Sequence, residues 1–309
     1  MGELEAQIVD AIQDIGGRHD GHRAVHAKGT LCAATFTPAP GAKDVCRAAH
    51  LQNGEVRAHV RFSNGSGDPG ARDAAQDGRG ISVKLYLDDG TTTDIVGLSR
   101  KQFFVRTAED FLEFTRARKP DPDTGQPDME KLGAFLGAHP EAGPAVQEQL
   151  LAKPPVSYAT TRFNGLHAFR FTAPDGTQRW VRWHLEPAAG VQVIEDDEDA
   201  AGRDRDYLQA EIAERLAEGP VVFALSVAVA GEGDPLDDPT VVWPDDRETI
   251  ELGRLEVTGI ATDRERDGDV LVMDPMRVTD GIEPSDDQIL RVRSDVYAES
   301  VYRRSGVRR

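Results

Sequence analysis

The sequence predicts an α+β fold, an antiparallel β-barrel decorated by inserted and flanking helices. Three observations point there. Several runs alternate apolar and polar residues with a period of two and are rich in β-branched and aromatic side chains, which suits half-buried strands. Helical stretches are inserted among these strands, and the one dinucleotide-like loop lacks the helix that a Rossmann-type unit needs. "APDG" at 173–176 separates two of the runs as a hairpin turn.

The chain opens with "MGELEAQIVDAIQDIGG", an acidic amphipathic helix without the apolar centre of a signal peptide. No stretch approaches the length of a membrane span. A cytoplasmic protein with no membrane partner is the expectation. "VRAHVRF" puts Val56, Ala58, Val60 and Phe62 on one strand face and Arg57, His59 and Arg61 on the other. "ISVKLYL" groups Ile81, Val83, Leu85 and Leu87 in the same way. "GSGDPG" at 65–70 matches a dinucleotide-binding pattern, but no apolar helical face follows and Pro69 interrupts it.

"AEDFLEFTRARK" predicts a helix from Ala108, and residues 128–153 read as a second one after a proline-rich loop at 119–127. "LHAFRFT" and "RWVRWHLEP" are strands. The acidic run at 195–206 reads as a solvated loop, and "DYLQAEIAERLAEG" as a helix closing at Gly219. "PVVFALSVAVA" and "GRLEVTGIA" complete the strand set on either side of a long irregular connection. The last helix follows "IEPSDDQ", with Ser285 as N-cap and Gln288 closing a capping box. Ile289, Arg293, Tyr297 and Val301 then recur at i, i+4, with Ser300 and Arg304 close to that face. Burying this face buries two guanidinium groups and a phenol, which is costly unless something charged receives them.

The net charge of −18 and the isoelectric point near 4.8 argue against a nucleic-acid partner, since phosphates would be repelled. Cys32 and Cys46 form no zinc-like spacing and read as two reduced thiols. Length alone would allow two domains, but the motifs described below draw residues from 23 to 304 into one site, so 1–309 is expected to form a single domain.

Three stretches carry the chemistry: "RAVHAKG" at 23–29, "VRFSNGSGDPGARDAAQDGRGISVKLY" at 60–86, and the last helix. With "DIVG…FF" at 94–104, "RFNGLHAFRF" at 162–171, "VVWPDD" at 241–246 and "MDPMRVTDGIEPSDDQILRVRS" at 273–294, the chain resembles the haem catalases over about 20–306. Its short form is most similar to the catalase-related peroxidases. The resemblance implies a catalase-like barrel core with a haem, as haem b, buried against it, and no separate C-terminal helical domain. It also implies a monomer or homodimer rather than a threaded tetramer.

It further implies that Tyr297 ligates the iron and is the one metal ligand, with Arg293 one helical turn away. A phenol has a reference pKa of about 10, and a metal ion and a neighbouring guanidinium both favour its ionised form. His26 matches the distal acid–base and Ser63 the residue that orients it; an imidazole near its ordinary pKa of about 6.5 suits proton transfer. Arg23, Arg61 and Arg304 match positions that hold the haem propionates, which supplies the missing charge. His167 matches a histidine on the proximal side and Phe111 a ring on the distal face, with Phe103 and Phe104 expected in the same pocket.

Departures from the family bear on activity. Leu98 stands where catalases carry an asparagine over the peroxide, and the hydroxyl of Ser99 follows directly. Gly65 replaces a channel valine, predicting a wider approach, and Val301 replaces a histidine found in some members. Together they predict a peroxidase that reduces hydrogen peroxide or organic hydroperoxides with a small organic reductant. A short true catalase is the alternative, followed by a hydroperoxide isomerase or a haem-binding non-enzyme.

Overall fold

The computed structural model describes residues 2–305 apart from 53 and 263–269. In order, the elements are α1 (Glu3–Gly16), β1 (Gly29–Pro38), α2 (Ala42–Val45), β2 (Val56–Asn64), β3 (Arg79–Tyr86) and β4 (Thr92–Leu98). Then come α3 (Ala108–Ala117), α4 (Met129–Ala138), α5 (Ala142–Leu151), β5 (Phe163–Asn164), β6 (Phe169–Thr172) and β7 (Gln178–Pro187). The chain continues through α6 (Asp197–Gly202), α7 (Tyr207–Glu218), β8 (Val221–Val229), β9 (Thr249–Ile260), β10 (Ile282–Pro284) and α8 (Gln288–Ser305).

Strands β7-β5-β4-β3-β2-β1-β9-β8 follow one another, and β8 pairs back with β7, closing an antiparallel barrel of eight strands that β6 and β10 extend. The barrel interior is filled by Phe36, Phe62, Phe163, Phe223 and the aliphatic residues of the alternating runs. Phe62 stacks on Tyr158 at 5.2 Å. The α+β barrel expected from the sequence is therefore the fold.

Several local expectations need correction. β1 escaped the periodicity because its inward positions include the small residues Cys32 and Ala34, which contrast weakly with Ala33 and Thr35. In β4 the alternation is hidden because Thr93, Asp94 and Ile95 are all buried, Asp94 through ion pairs with Lys84 and Arg277. The helix expected over 128–153 is broken at His139-Pro140 into α4 and α5, since proline lacks an N–H and disfavours a helical residue before it. The acidic loop holds the short helix α6, capped by Asp196, which accepts the Asp199 N–H at 2.8 Å.

The N-cap of the last helix also moves. α8 begins at Gln288, and Asp287 Oδ1 accepts the N–H groups of Ile289 at 2.8 Å and Leu290 at 3.2 Å. Residues through Pro284 stay extended in β10, so Ser285 lies too early to cap and instead accepts the Asp287 N–H at 3.4 Å.

Side chains alternate across a strand, so the residues of β2 that miss the core face outward. Arg61 and Ser63 are such residues. The register aligns Ser63 with Gly80 and Gly80 with Leu98, and aligns Arg61 with Ser82 and Ser82 with Val96. These two rows across β2, β3 and β4 are one wall of the site.

Candidate active site

Facing that wall across a cleft of about 720 Å3, open mouth included, is α8, with Arg293, Val296, Tyr297, Ser300, Val301 and Arg304. Residues 23–26, Val9 and Ile12 of α1, and Val272 with Met273 complete the lining. Arg23, His26, Arg61, Ser63, Arg293, Tyr297 and Arg304, chosen from the sequence, all meet here, as do Leu98 and Val301.

His26 has a positive φ of 56°, a conformation that costs a non-glycine residue about 1 kcal/mol or more. The backbone holds it there: Ala27 N–H donates to Ser66 O at 3.0 Å and His26 N–H to Gly65 O at 3.4 Å. Its Nδ1 lies 2.8 Å from Asn64 O and 3.1 Å from Ser63 Oγ. A carbonyl only accepts, so Nδ1 carries the proton and Nε2 keeps a lone pair. Burial first, then the Arg61 guanidinium with Arg293 and Arg23, pushes the imidazole down to about 3, against the pull of Asn64 O. The ordinary histidine value expected from the sequence is not kept; this is a neutral base.

Gly80 makes the arrangement possible, because a Cβ there would lie 2.8 Å from Ser63 Oγ and 3.0 Å from His26 Cε1. Gly29 likewise gives way to the Arg61 guanidinium, whose Cζ would lie 2.8 Å from a Cβ. Neither glycine stood out in the sequence, since clearance between distant strands leaves no local pattern.

On the helix side, Arg293 donates from Nε to the Tyr297 oxygen at 2.9 Å, and a second guanidinium nitrogen donates to the same oxygen. Arg293 also donates to His167 Nε2 at 3.1 Å, so His167 must carry its proton on Nδ1, which donates to Asp287 Oδ2 at 2.6 Å. Burial lowers the His167 pKa despite Asp287. A continuous relay thus runs Asp287–His167–Arg293–Tyr297, and Asp287 also caps the helix that carries the last two. Nothing local in the sequence points Asp287 toward His167, because its partner is 120 residues away.

The remaining arginines anchor on backbone and hydroxyl oxygens: Arg23 on Leu271 O at 2.9 Å, Arg61 on Ala27 O at 3.3 Å and Arg304 on Ser300 Oγ at 3.4 Å. Four arginines and no carboxylate are among the described lining residues, on a chain whose net charge is −18. An apolar wall carrying guanidinium groups, with a phenol oxygen held as acceptor, fits a flat apolar group with anionic substituents and a metal centre. The donor set therefore fits a haem.

Three expectations are not met. Phe111, with Phe103 and Phe104, lies outside the lining: Phe111 stacks on Phe103 at 6.0 Å and packs on the α1–α3 cluster of Ile8, Ala11 and Leu112. The Ser99 hydroxyl does not substitute at position 98, because it accepts the Arg79 N–H at 2.9 Å. Gly65 does not widen the cleft, since a Cβ there would lie 2.4 Å from the Asp77 carboxylate that fills the space.

A profile of the catalase family matches residues 5–309. The chain belongs to the catalase family. Membership implies a haem. A catalase-related peroxidase of Mycolicibacterium paratuberculosis is 44% identical over 98% of this chain and 95% of its own length. One of Synechococcus elongatus is 34% identical over 97% and 88%. A fungal catalase crystal structure superposes with a TM-score of 0.83 at 24% identity, over 94% of this chain and 61% of the other, which confirms the catalase fold. Among the described residues no helix is long and apolar enough to cross a membrane.

Proposed function

We propose that this catalase-family chain is a haem b peroxidase. It reduces hydrogen peroxide or organic hydroperoxides at the expense of a small organic reductant and releases little oxygen. The observation that carries the reading is Leu98 in the distal wall, in one strand row with Ser63 and Gly80 beside a neutral His26.

A haem held here would supply the two-electron redox chemistry that links peroxide reduction to oxidation of the reductant. Tyr297 offers its phenolic oxygen as the iron ligand, and Arg293 donates two hydrogen bonds to that oxygen. Arg23, Arg61 and Arg304 are the residues that would hold the propionates. His26 Nε2 takes the proton from the near peroxide oxygen and returns it to the far one, so that water or an alcohol leaves. Ser63 Oγ and Asn64 O keep the imidazole in the tautomer this requires. Leu98 offers no donor to a second hydrogen peroxide, which weakens the oxygen-releasing half of a catalase cycle by roughly 10²–10³ if a lost oxyanion-hole donor is a guide.

The names of both relatives support the peroxidase reading; dismutation is the alternative, since other relatives, among them Catalase-2 of Bacillus subtilis at 28% identity, are named catalases. The buried free thiols Cys32 and Cys46 are compatible with the cytoplasm. Supplying the haem-loaded protein with hydrogen peroxide and an oxidisable dye decides between the two activities. Consumption that appears mainly as oxidised dye, shifting toward oxygen in Leu98→Asn, supports the peroxidase. Abundant oxygen from the unmodified protein makes it a short catalase.

A further inference from the structure

Of the two groups beside His26 Nδ1, only one selects a tautomer. The Ser63 hydroxyl at 3.1 Å can donate or accept, so it suits either form of the ring. The Asn64 carbonyl at 2.8 Å only accepts, and so requires the proton on Nδ1. Its aim therefore decides whether Nε2 keeps the lone pair that proton transfer uses. Strand pairing leaves that aim open. Asn64 is the last residue of β2, and its N–H goes to Lys28 O at 3.1 Å. Gly65 follows, with no Cβ to restrict rotation of the peptide between them.

The Asn64 side chain supplies the missing anchor. It is 1% exposed, and both ends of its amide are engaged. Nδ2 donates to Asp73 Oδ1 at 2.7 Å, and Oδ1 accepts the Tyr158 hydroxyl at 2.7 Å. The Tyr158 oxygen in turn accepts from Gln209 of α7 at 3.0 Å. Burial first, then Asp73, pushes the Tyr158 phenol up, so it stays a donor. Asp73 is fully buried and reaches the other side of the pocket as well. Its Oδ1 receives the Lys28 ammonium at 2.7 Å, and its Oδ2 the Leu208 N–H at 2.8 Å. Lys28 lies two residues after His26. One carboxylate oxygen thus ties the segment that carries the imidazole to the residue whose carbonyl faces it. A histidine at positive φ persists only when its surroundings over-determine it in this way.

We propose that Asn64 is a positioning residue for His26, with Asp73 and Tyr158 as its anchors. The anchored amide fixes the Asn64 carbonyl, and the carbonyl keeps the imidazole proton on Nδ1 and off Nε2. Once the amide is lost, the ring samples the other tautomer, whose Nε2 already carries a proton and cannot take one from peroxide. The inference rests on the peroxidase reading, in which His26 is the proton carrier.

Asn64→Ala tests this on the haem-loaded protein, with hydrogen peroxide and an oxidisable dye each varied in turn. The kcat/KM for peroxide should fall about tenfold through misplacement of the reacting group, while the kcat/KM for the dye is unchanged. A merely structural defect would lower both constants together. That result, or an unchanged peroxide constant, overturns the proposal. The tautomer is read separately from ring 15N shifts of histidine-labelled protein loaded with diamagnetic zinc protoporphyrin. The His26 signals are those missing in His26→Ala. The unmodified protein should carry the proton on Nδ1, and Asn64→Ala should show both forms. A proton on Nε2 in the unmodified protein, or on Nδ1 alone in the variant, overturns the proposal. Tyr158→Phe keeps the ring and removes only the hydroxyl donor, which covers an Asn64 variant that fails to fold. It should lower the peroxide constant about threefold, again without changing the dye constant. If the unmodified protein turns over no peroxide, the peroxidase reading fails, while the 15N shifts still decide the positioning role.

Discussion

On the barrel side of the cleft, β2, β3 and β4 present Ser63, Gly80, Val96 and Leu98 beneath a neutral His26 whose backbone is held in a strained conformation. On the helix side, Asp287 just before α8, His167 from the β5–β6 connection and Arg293 of α8 form a polar chain that successively fixes the Tyr297 oxygen. The first wall is defined by strand register and steric clearance, and it keeps charge off the imidazole. The second is defined by hydrogen bonds, each of which sets the direction of the next. A proton carrier is best neutral and free to change state, whereas a metal ligand is best immobilised and anionic. Under the proposed roles of His26 and Tyr297, the two walls would meet these needs with different means.

The largest expected effect breaks the distal side alone. His26→Ala should lower peroxide turnover by about 10²–10⁴-fold while haem content, read from the Soret band, is unchanged. Undiminished turnover would remove the base from the distal wall. Tyr297→Phe attacks the proximal side and should reduce haem retention on the order of 100-fold or alter the ligand-to-metal spectrum. An unaltered spectrum would mean that another residue ligates the iron.

Asp287→Asn sharpens the comparison, because asparagine can still cap α8 but no longer presents a carboxylate to His167. Melting temperature should scarcely change while haem affinity falls about tenfold. A fall in stability without a change in haem affinity would reduce Asp287 to a cap. The smallest effect is in pH. His26 is lowered to about 3, and His50 and His184 to about 4, all mainly by burial. The unfolded chain therefore binds more protons than the folded one below about 6.5. Stability should be full above that value and fall as pH drops toward 3–4, by at most about 1.4 kcal/mol per pH unit for each histidine. Turnover per folded molecule should stay flat from pH 8 to 5, since His26 remains neutral throughout. A rate that halves near pH 6.5 would show that the imidazole titrates normally.

What the sequence by itself determined was local. Strand periods placed Val60 and Phe62 in the core and left Arg61 on the opposite face. One helical turn set Arg293 against Tyr297, and the order of the motifs pointed to the family and to the residues that line the cleft. These follow from backbone geometry within a few residues, which the sequence states directly. Only the tertiary structure decided which distant groups meet. The Asp287–His167 bond, the clearance that Gly80 gives His26, and the row Ser63–Gly80–Leu98 all depend on strand register and barrel closure. The depressed pKa of His26 belongs there too, because it comes from burial and from arginines on separate segments. Such contacts are fixed when the sheet closes, so no single stretch of chain encodes them.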